Sequence, residues 1–229
     1  MKPYKYYLLF CAAALLCCCE KKTENVSKTT YYCDLELKGS SAVLLNTGEQ
    51  YVDPGYTATE NEEDVSDAVI VTGSVNEEQA GVYTLTYTVY NQDGFPKVAQ
   101  REVFVCDPTP SPIESGYYYV SKASKRDDGP SPEYASEPVV AIYQLAPGVF
   151  YLSDLFGGYY HVGRGYGVAY ATPATVEFDG TTLTLLNSEA TPWGDTFGSV
   201  TGTYDAATKT LSISTVYATY TFNLIIIKK

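Results

Sequence analysis

The sequence predicts an all-β protein of two domains, and three observations carry that expectation. Apolar residues recur at period two in short runs across residues 33–229, the spacing that turns one face of a strand toward a core. Tyrosine dominates the aromatics, with 23 copies against one tryptophan, and it joins abundant Val, Thr and Ile, residue types that pack well on a pleated surface. Asp107-Pro-Thr-Pro-Ser-Pro-Ile113 places a proline at every second position, so an extended, semi-rigid connector divides the 229 residues and is expected to hold two units apart.

Ahead of the strands, Lys2 and Lys5 precede a short apolar stretch at 8–16, and Cys17, Cys18 and Cys19 follow it. The stretch is too short to span a bilayer as a helix, so residues 1–18 read as a signal peptide. A cysteine at that junction, with Leu15 and Leu16 just upstream, resembles the lipobox of bacterial lipoproteins. The resemblance implies acylation of Cys19, with Leu16 three residues before it; Cys18, with Leu15 in that role, is the alternative, and an ordinary cleaved signal with incidental cysteines is a third reading. Residues 19–32 are polar, charged and aperiodic, as expected of a flexible tether. A charged start after the lipid cysteine resembles the export signals of Bacteroidota surface lipoproteins, which implies an outer-membrane lipid anchor at the cell surface.

Acidic residues outnumber basic ones, 27 to 15, for a net charge of −12, and so acidic a body repels nucleic acid. With the leader removed, Cys33 and Cys106 are the cysteines left beside Cys19. An oxidising exterior would permit them to pair, yet Cys33 opens the first strand of its domain and Cys106 closes the last, at opposite poles of a sandwich. His161 is the only histidine, so no zinc site and no cofactor are expected.

Residues 33–107 carry seven short alternating runs, marked by Leu35 and Leu37, Val43 and Leu45, Tyr56 and Ala58, Val69 and Val71, Tyr83 to Val89, Val98, and Val103 and Val105. Seven strands in so short a segment predict an N-terminal Ig-like β-sandwich. The Asp53-Pro-Gly55 turn, the acidic loop Glu60-Asn-Glu-Glu-Asp64, Gly81, Tyr83 and Tyr87 in one strand, and the Asn91-Gln-Asp-Gly94 hairpin turn resemble the bacterial Ig-like domain named after the Cry22-type pesticidal crystal protein. That resemblance implies a spacer or adhesive module. The acidic loop lacks the spacing and glycine of a calcium loop, and turn chemistry explains its Asp and Asn residues.

Residues 114–229 read as a C-terminal antiparallel β-meander or barrel-like domain beyond a linker at 108–113. Strands are expected at 117–120, 139–143, 149–152, 167–171, 174–178, 182–186, 198–204, 210–214 and 219–227. Asp179-Gly180 is a two-residue hairpin signal, and Asp205-Ala-Ala-Thr-Lys209 a type I-like turn. A meander of this kind must close, or nearly close, to protect its edges. Residues 223–228 suit a central strand covered on both faces, and 125–132 an exposed or partly disordered loop. Gly116-Tyr-Tyr, Val149-Phe-Tyr-Leu-Ser-Asp-Leu-Phe-Gly-Gly-Tyr-Tyr160 and Gly163-Arg-Gly-Tyr-Gly167 together resemble an uncharacterised C-terminal domain of Bacteroidota lipoproteins, which implies association with glycan uptake of the starch-utilisation type.

Residues 156–171 hold five glycines, four tyrosines, His161 and Arg164, and are expected to form a bent, glycine-hinged strand. No nucleotide loop fits there, because no parallel strand leads in and no helix leads out. Neither a His-centred triad nor a carboxylate pair emerges from the spacing, so no enzyme is expected. Tyr159, Tyr160, Tyr166, Tyr170 and Trp193 supply aromatic faces for stacking on sugar rings, with His161 and Arg164 as planar polar partners. An oligosaccharide ligand is therefore the first expectation, with a lipid-anchored, non-catalytic capture or accessory role beside an outer-membrane transport protein. A structural or protein-interaction module docking on such a partner is the alternative, since the same rings would also suit a protein surface.

Overall fold

The computed structural model describes residues 29–127 and 129–229. The expected signal peptide and the acylated Cys19 lie outside the described residues.

The N-terminal domain is a sandwich of β1 (Cys33–Leu37), β2 (Ala42–Asn46), β3 (Tyr56–Glu60), β4 (Glu63–Asp64), β5 (Ile70–Thr72), β6 (Gly81–Tyr90) and β7 (Pro96–Cys106). One sheet has the order β1-β3-β4 and the other β2-β7-β6-β5, with β2 parallel to β7 and the remaining pairs antiparallel. Leu35, Ala58, Leu85, Tyr87 and Val89 fill the space between the sheets. The runs expected at Val98 and at Val103 and Val105 are one unbroken strand, and the seventh strand is the two-residue β4 beside the acidic loop.

Arg101 is wholly buried in this core. Its guanidinium donates to the carbonyls of Ser40, Lys38 (3.0 Å) and Gly55 (3.1 Å) and to the Tyr87 hydroxyl (3.4 Å), and Asp53 lies 3.6 Å away. Tyr87 in turn donates to Asp53. A buried cation is tolerable only when paired and hydrogen-bonded, and here three loop carbonyls and one carboxylate do that work. Cys33 and Cys106 are both buried and unbridged. Burial pushes the Cys106 thiol up to about 11.

The C-terminal domain is a closed antiparallel barrel of eight strands: β8 (Gly116–Val120), β10 (Val139–Ala146), β11 (Val149–Leu152), β12 (Ala174–Phe178), β13 (Thr182–Ser188), β14 (Ser199–Asp205), β15 (Thr210–Tyr217) and β16 (Tyr220–Lys228). Pairing of Val120 with Ile226 and of Tyr119 with Ile227 seals it, so no barrel strand is left with an open edge. Tyr118, Val140, Ile142, Phe150, Val176, Leu211, Ile213 and Leu224 point inward and fill the interior, leaving a packed core and no channel. Residues 223–228 are central in the pairing, but only alternate side chains are buried: Leu224 and Ile226 face the core, while Ile225 and Ile227 are half-exposed on the outer wall. The stretch expected as a loop at 125–132 contains β9 (Lys125–Arg126), which pairs with β16, and leads into a 3-10 turn at Pro132–Tyr134.

The connections sort by end. At one mouth the strands are joined by short turns at 147–148, 179–181 and 206–209; at the other lie the long loops 121–138, 153–173 and 189–198 and the tight turn 218–219. Every aromatic picked out by sequence falls in the long loops.

The domains are packed together, which corrects the expectation that the prolines hold them apart. Phe104 of β7 stacks on Tyr143 of β10 with ring centroids 4.0 Å apart. Gln144 reaches back to the connector, accepting from the Asp107 N–H at 2.9 Å and donating to the Thr109 carbonyl at 2.8 Å, and Ile113 is buried in the barrel core. The prolines make the connector extended, but its carbonyls and Ile113 find partners on the barrel. Replacing Arg101 with Ala should remove the donor from the Lys38 and Ser40 carbonyls and the cation from beside Asp53, and cost about 3–5 kcal/mol. Urea unfolding followed by tyrosine fluorescence should show the sandwich transition shifted to lower denaturant while the barrel transition stays in place.

Candidate functional site

The loop 153–173 is built on Asp154, a buried carboxylate. Its Oδ1 accepts from the N–H groups of Phe156 (2.9 Å) and Thr172 (3.1 Å), and its Oδ2 from the N–H of Gly158 (2.7 Å). One side chain thus ties the two ends of the loop together. Phe156 is driven into the barrel mouth, where it is fully buried against Tyr160, Phe197, Tyr217 and Phe222 at centroid distances of 4.9–5.1 Å. Tyr134 donates its hydroxyl to the Phe156 carbonyl at 3.0 Å from the neighbouring loop.

Beyond Phe156 the chain is not a strand, in contrast to expectation. Tyr159–Gly163 forms a single π-helical turn, closed by bonds from the Gly163 N–H to the Gly158 carbonyl (2.9 Å) and from the Arg164 N–H to the Tyr159 carbonyl (2.9 Å). The strand expected at 167–171 is a 3-10 turn at Val168–Tyr170. The glycines explain the difference. Gly158 has φ +83, and a Cβ there would lie 2.3 Å from Pro138; a Cβ on Gly163 would lie 2.4 Å from the Glu133 carbonyl oxygen. Both positions let the turn press onto the 121–138 loop, a close approach that alternation of side chains does not encode.

Four of the seven singled-out side chains come together as a crown over Phe156. Tyr160 lies 4.7 Å from Trp193 and 6.2 Å from Tyr166; Tyr170 lies 5.0 Å from Tyr166 and 5.5 Å from Trp193, all between ring centroids. Tyr166 is 51% and Trp193 47% exposed, so these two rings present the most open surface. Trp193 stands on a tight loop in which Asp195 accepts from the Thr191 hydroxyl and, at 2.7 Å, from the Tyr217 hydroxyl. Those bonds, that of Thr191 foremost, hold the Asp195 carboxyl below its ordinary range.

The remaining three are placed differently. Tyr159 is buried beneath the crown against Tyr134, Tyr160 and Phe222. Arg164 sits at the flank, paired with Glu133 at 2.9 Å and donating to the Tyr159 hydroxyl at 3.2 Å. His161 turns to the far side, with its Nδ1 3.3 Å from Asp154 Oδ2, and faces a cleft between the two domains. Among the described residues no serine or cysteine is hydrogen-bonded to the His161 ring. Asp154, Phe156, Tyr217 and Arg126, whose guanidinium lies 4.4 Å from the Tyr220 ring centre and 5.2 Å from that of Tyr159, complete the site without having been singled out as binding residues. Only the Asp-x-Phe-Gly-Gly spacing, an Asp two residues before an N–H it can accept, hints at the clamp.

Because the folded-state Asp195 is acidified, its bonds contribute stability at neutral pH that is lost as pH falls through its lowered pKa. Fluorescence of Trp193, the sole tryptophan, should therefore shift in acid below the ordinary aspartate range, and Asp195→Asn should abolish that transition.

Residues 35–105 match the family of bacterial surface protein Ig-like domains, and residues 107–228 match a C-terminal domain family. No curated protein matches the chain. Among solved structures, the lipoprotein BT2262 from Bacteroides thetaiotaomicron is 39% identical, aligns over 86% of this chain and 100% of its own, and superposes with a TM-score of 0.76. The CBM51-2 and INT domains of Clostridium perfringens ZmpB, in complex with GlcNAc, align over 86% of this chain and 44% of theirs at 14% identity, with a TM-score of 0.28, too low to carry a likeness of fold. On its two matched domains and on identity sustained over the whole of that relative, the chain belongs to the family of the Bacteroides lipoprotein BT2262.

Proposed function

We propose that the protein is a lipid-anchored surface binding protein that captures oligosaccharide without catalysis, as an accessory of an outer-membrane uptake system. The crown carries this reading: four rings from two separate loops converge on one end of a rigid barrel, with Tyr166 and Trp193 about half exposed. Exposed aromatic rings bury poorly hydrated C–H faces such as those of a pyranose, and rings braced edge to face by their neighbours lose little entropy when they do so. The surface-type domains and the lipoprotein relative support a cell-surface address, and neither matched family is an enzyme family. An anchor at Cys19 followed by a flexible tether would hold the crown at high effective concentration beside a transporter.

Affinity gels across a polysaccharide panel test the reading. One polysaccharide should retard the protein, and Trp193→Ala should weaken that interaction by about 2 kcal/mol, roughly 30-fold, as expected for truncation of a central aromatic anchor. If none retards it and a membrane protein co-purifies through the crown instead, the protein-docking alternative replaces glycan capture. Fractionation tests the anchor separately: Cys19→Ala should release the protein from the membrane, whereas retention of that variant and release of Cys18→Ala would move the acylation site by one residue.

A further inference from the structure

His161 turns away from the crown toward a cleft of about 390 Å³ lined by residues of both domains. The sandwich contributes Glu102 from β7; the barrel wall contributes Tyr117 and Tyr151; the long loops contribute Asp154, His161 and Glu189. The volume lies in the range of small-ligand sites, and the walls combine aromatic faces with a few convergent polar groups.

The polar groups are not equivalent. Asp154 is already committed to three backbone N–H groups and His161. The Glu102 and Glu189 carboxylates, in contrast, have no hydrogen-bond or ion-pair partner among the described residues. Glu102 stays open to solvent at the cleft edge, but the packed walls beside it partly desolvate its carboxyl and raise its pKa. The Tyr151 phenol is raised as well, first by burial and then by the fields of Glu102, Glu189 and Asp154, so the three carboxylates converge on one ring. An ionised carboxylate is acceptor-only, and one that is partly desolvated without a donor costs stability. A ligand that brings an O–H donor to Glu102 would offset that cost, while Glu189, exposed at the rim, offers a second acceptor and Tyr117 and Tyr151 a wall for a C–H face. An anion would meet three carboxylates with His161 as the one basic side chain on the walls.

We propose that the interdomain cleft is a second ligand site, separate from the crown, that binds a non-acidic saccharide through Glu102, Glu189, Tyr117 and Tyr151. The choice of saccharide rests on the reading of the protein as a glycan binder; the site itself rests on the cleft.

The sole tryptophan makes the two sites separable, because Trp193 belongs to the crown and is absent from the cleft. The full chain in detergent is titrated with malto-, cello-, xylo- and manno-hexaose and with trigalacturonate, with calorimetry reading all binding and tryptophan fluorescence reading the crown. At least one neutral hexaose should bind with a heat that Glu102→Gln and Glu189→Gln each weaken about tenfold or more, the loss of one charged hydrogen bond. Trigalacturonate should give no heat that depends on these residues. Since the Glu102 pKa is raised on folding, its charge costs stability above that pKa, and Glu102→Gln should leave the melting temperature unchanged or higher; loss of binding is then not loss of fold. Fluorescence change without heat dependent on Glu102 or Glu189 would overturn the cleft and leave the crown standing. Heat dependent on them without fluorescence change would support the cleft and count against the crown. Absence of both, or binding of trigalacturonate that depends on Glu102, would overturn the proposal.

Discussion

The Asp154 carboxylate receives the N–H groups of Phe156, Gly158 and Thr172, and the open end of the barrel depends on those bonds. Charge-assisted hydrogen bonds to a buried carboxylate are roughly twice as strong as neutral ones, and they are what makes its burial tolerable. They set the position of Phe156, which stoppers the barrel core, and the stopper is the floor on which Tyr160 and Trp193 rest. The same carboxylate orients the His161 ring toward the opposite side. The π turn that follows therefore serves two surfaces, with Tyr160 in the crown and its neighbour His161 in the interdomain cleft.

Closure of the barrel gives this arrangement a fixed frame. Eight paired strands leave no open edge to invite association, and a filled interior gives the long loops a rigid rim to stand on. The short turns and the connector occupy the other mouth, so the chain entering from the sandwich does not obstruct the crown. The sandwich is no loose spacer: Phe104 on Tyr143 and the Gln144 bonds to the connector hold it against the barrel wall, and that contact brings Glu102 to the cleft. Within the sandwich, Arg101 fastens the loops at Ser40 and Gly55 to β7, the strand that makes the contact.

The two candidate surfaces differ in electrostatic character. Arg126 and Arg164 flank the crown, and both are drawn over tyrosine rings, whereas the cleft is lined by carboxylates. A body with net charge −12 thus places two of its three guanidinium groups beside the aromatic site, where they stiffen Tyr159 and Tyr220 by cation–π contact. Within the barrel domain the most exposed rings, Tyr166 and Trp193, stand at the end remote from the connector.

Much of the fold was legible because strand alternation and turn chemistry are local. Residues 174–178, bounded by Asp179-Gly180, form the strand that their alternation predicts, and the need to protect edges points to closure. Residues 156–171 stand out by composition as a candidate site, but their shape was not legible. Composition shows rings and glycines clustered in the chain; it does not show that Gly158 and Gly163 lie against Pro138 and Glu133, so a π turn replaces the strand. Tyr159 and Tyr160 are adjacent and chemically identical, yet only packing against Tyr134 and Phe222 decides that one is interior and the other belongs to the crown. The sequence by itself determined the all-β class, the two-domain division and the residue types available for recognition, because these follow from short-range periodicity and composition. Tertiary structure alone decided which rings converge, where His161 faces and that Glu102 of one domain lines the same cleft as Glu189 of the other, because those placements depend on packing between separate loops and domains and not on local periodicity.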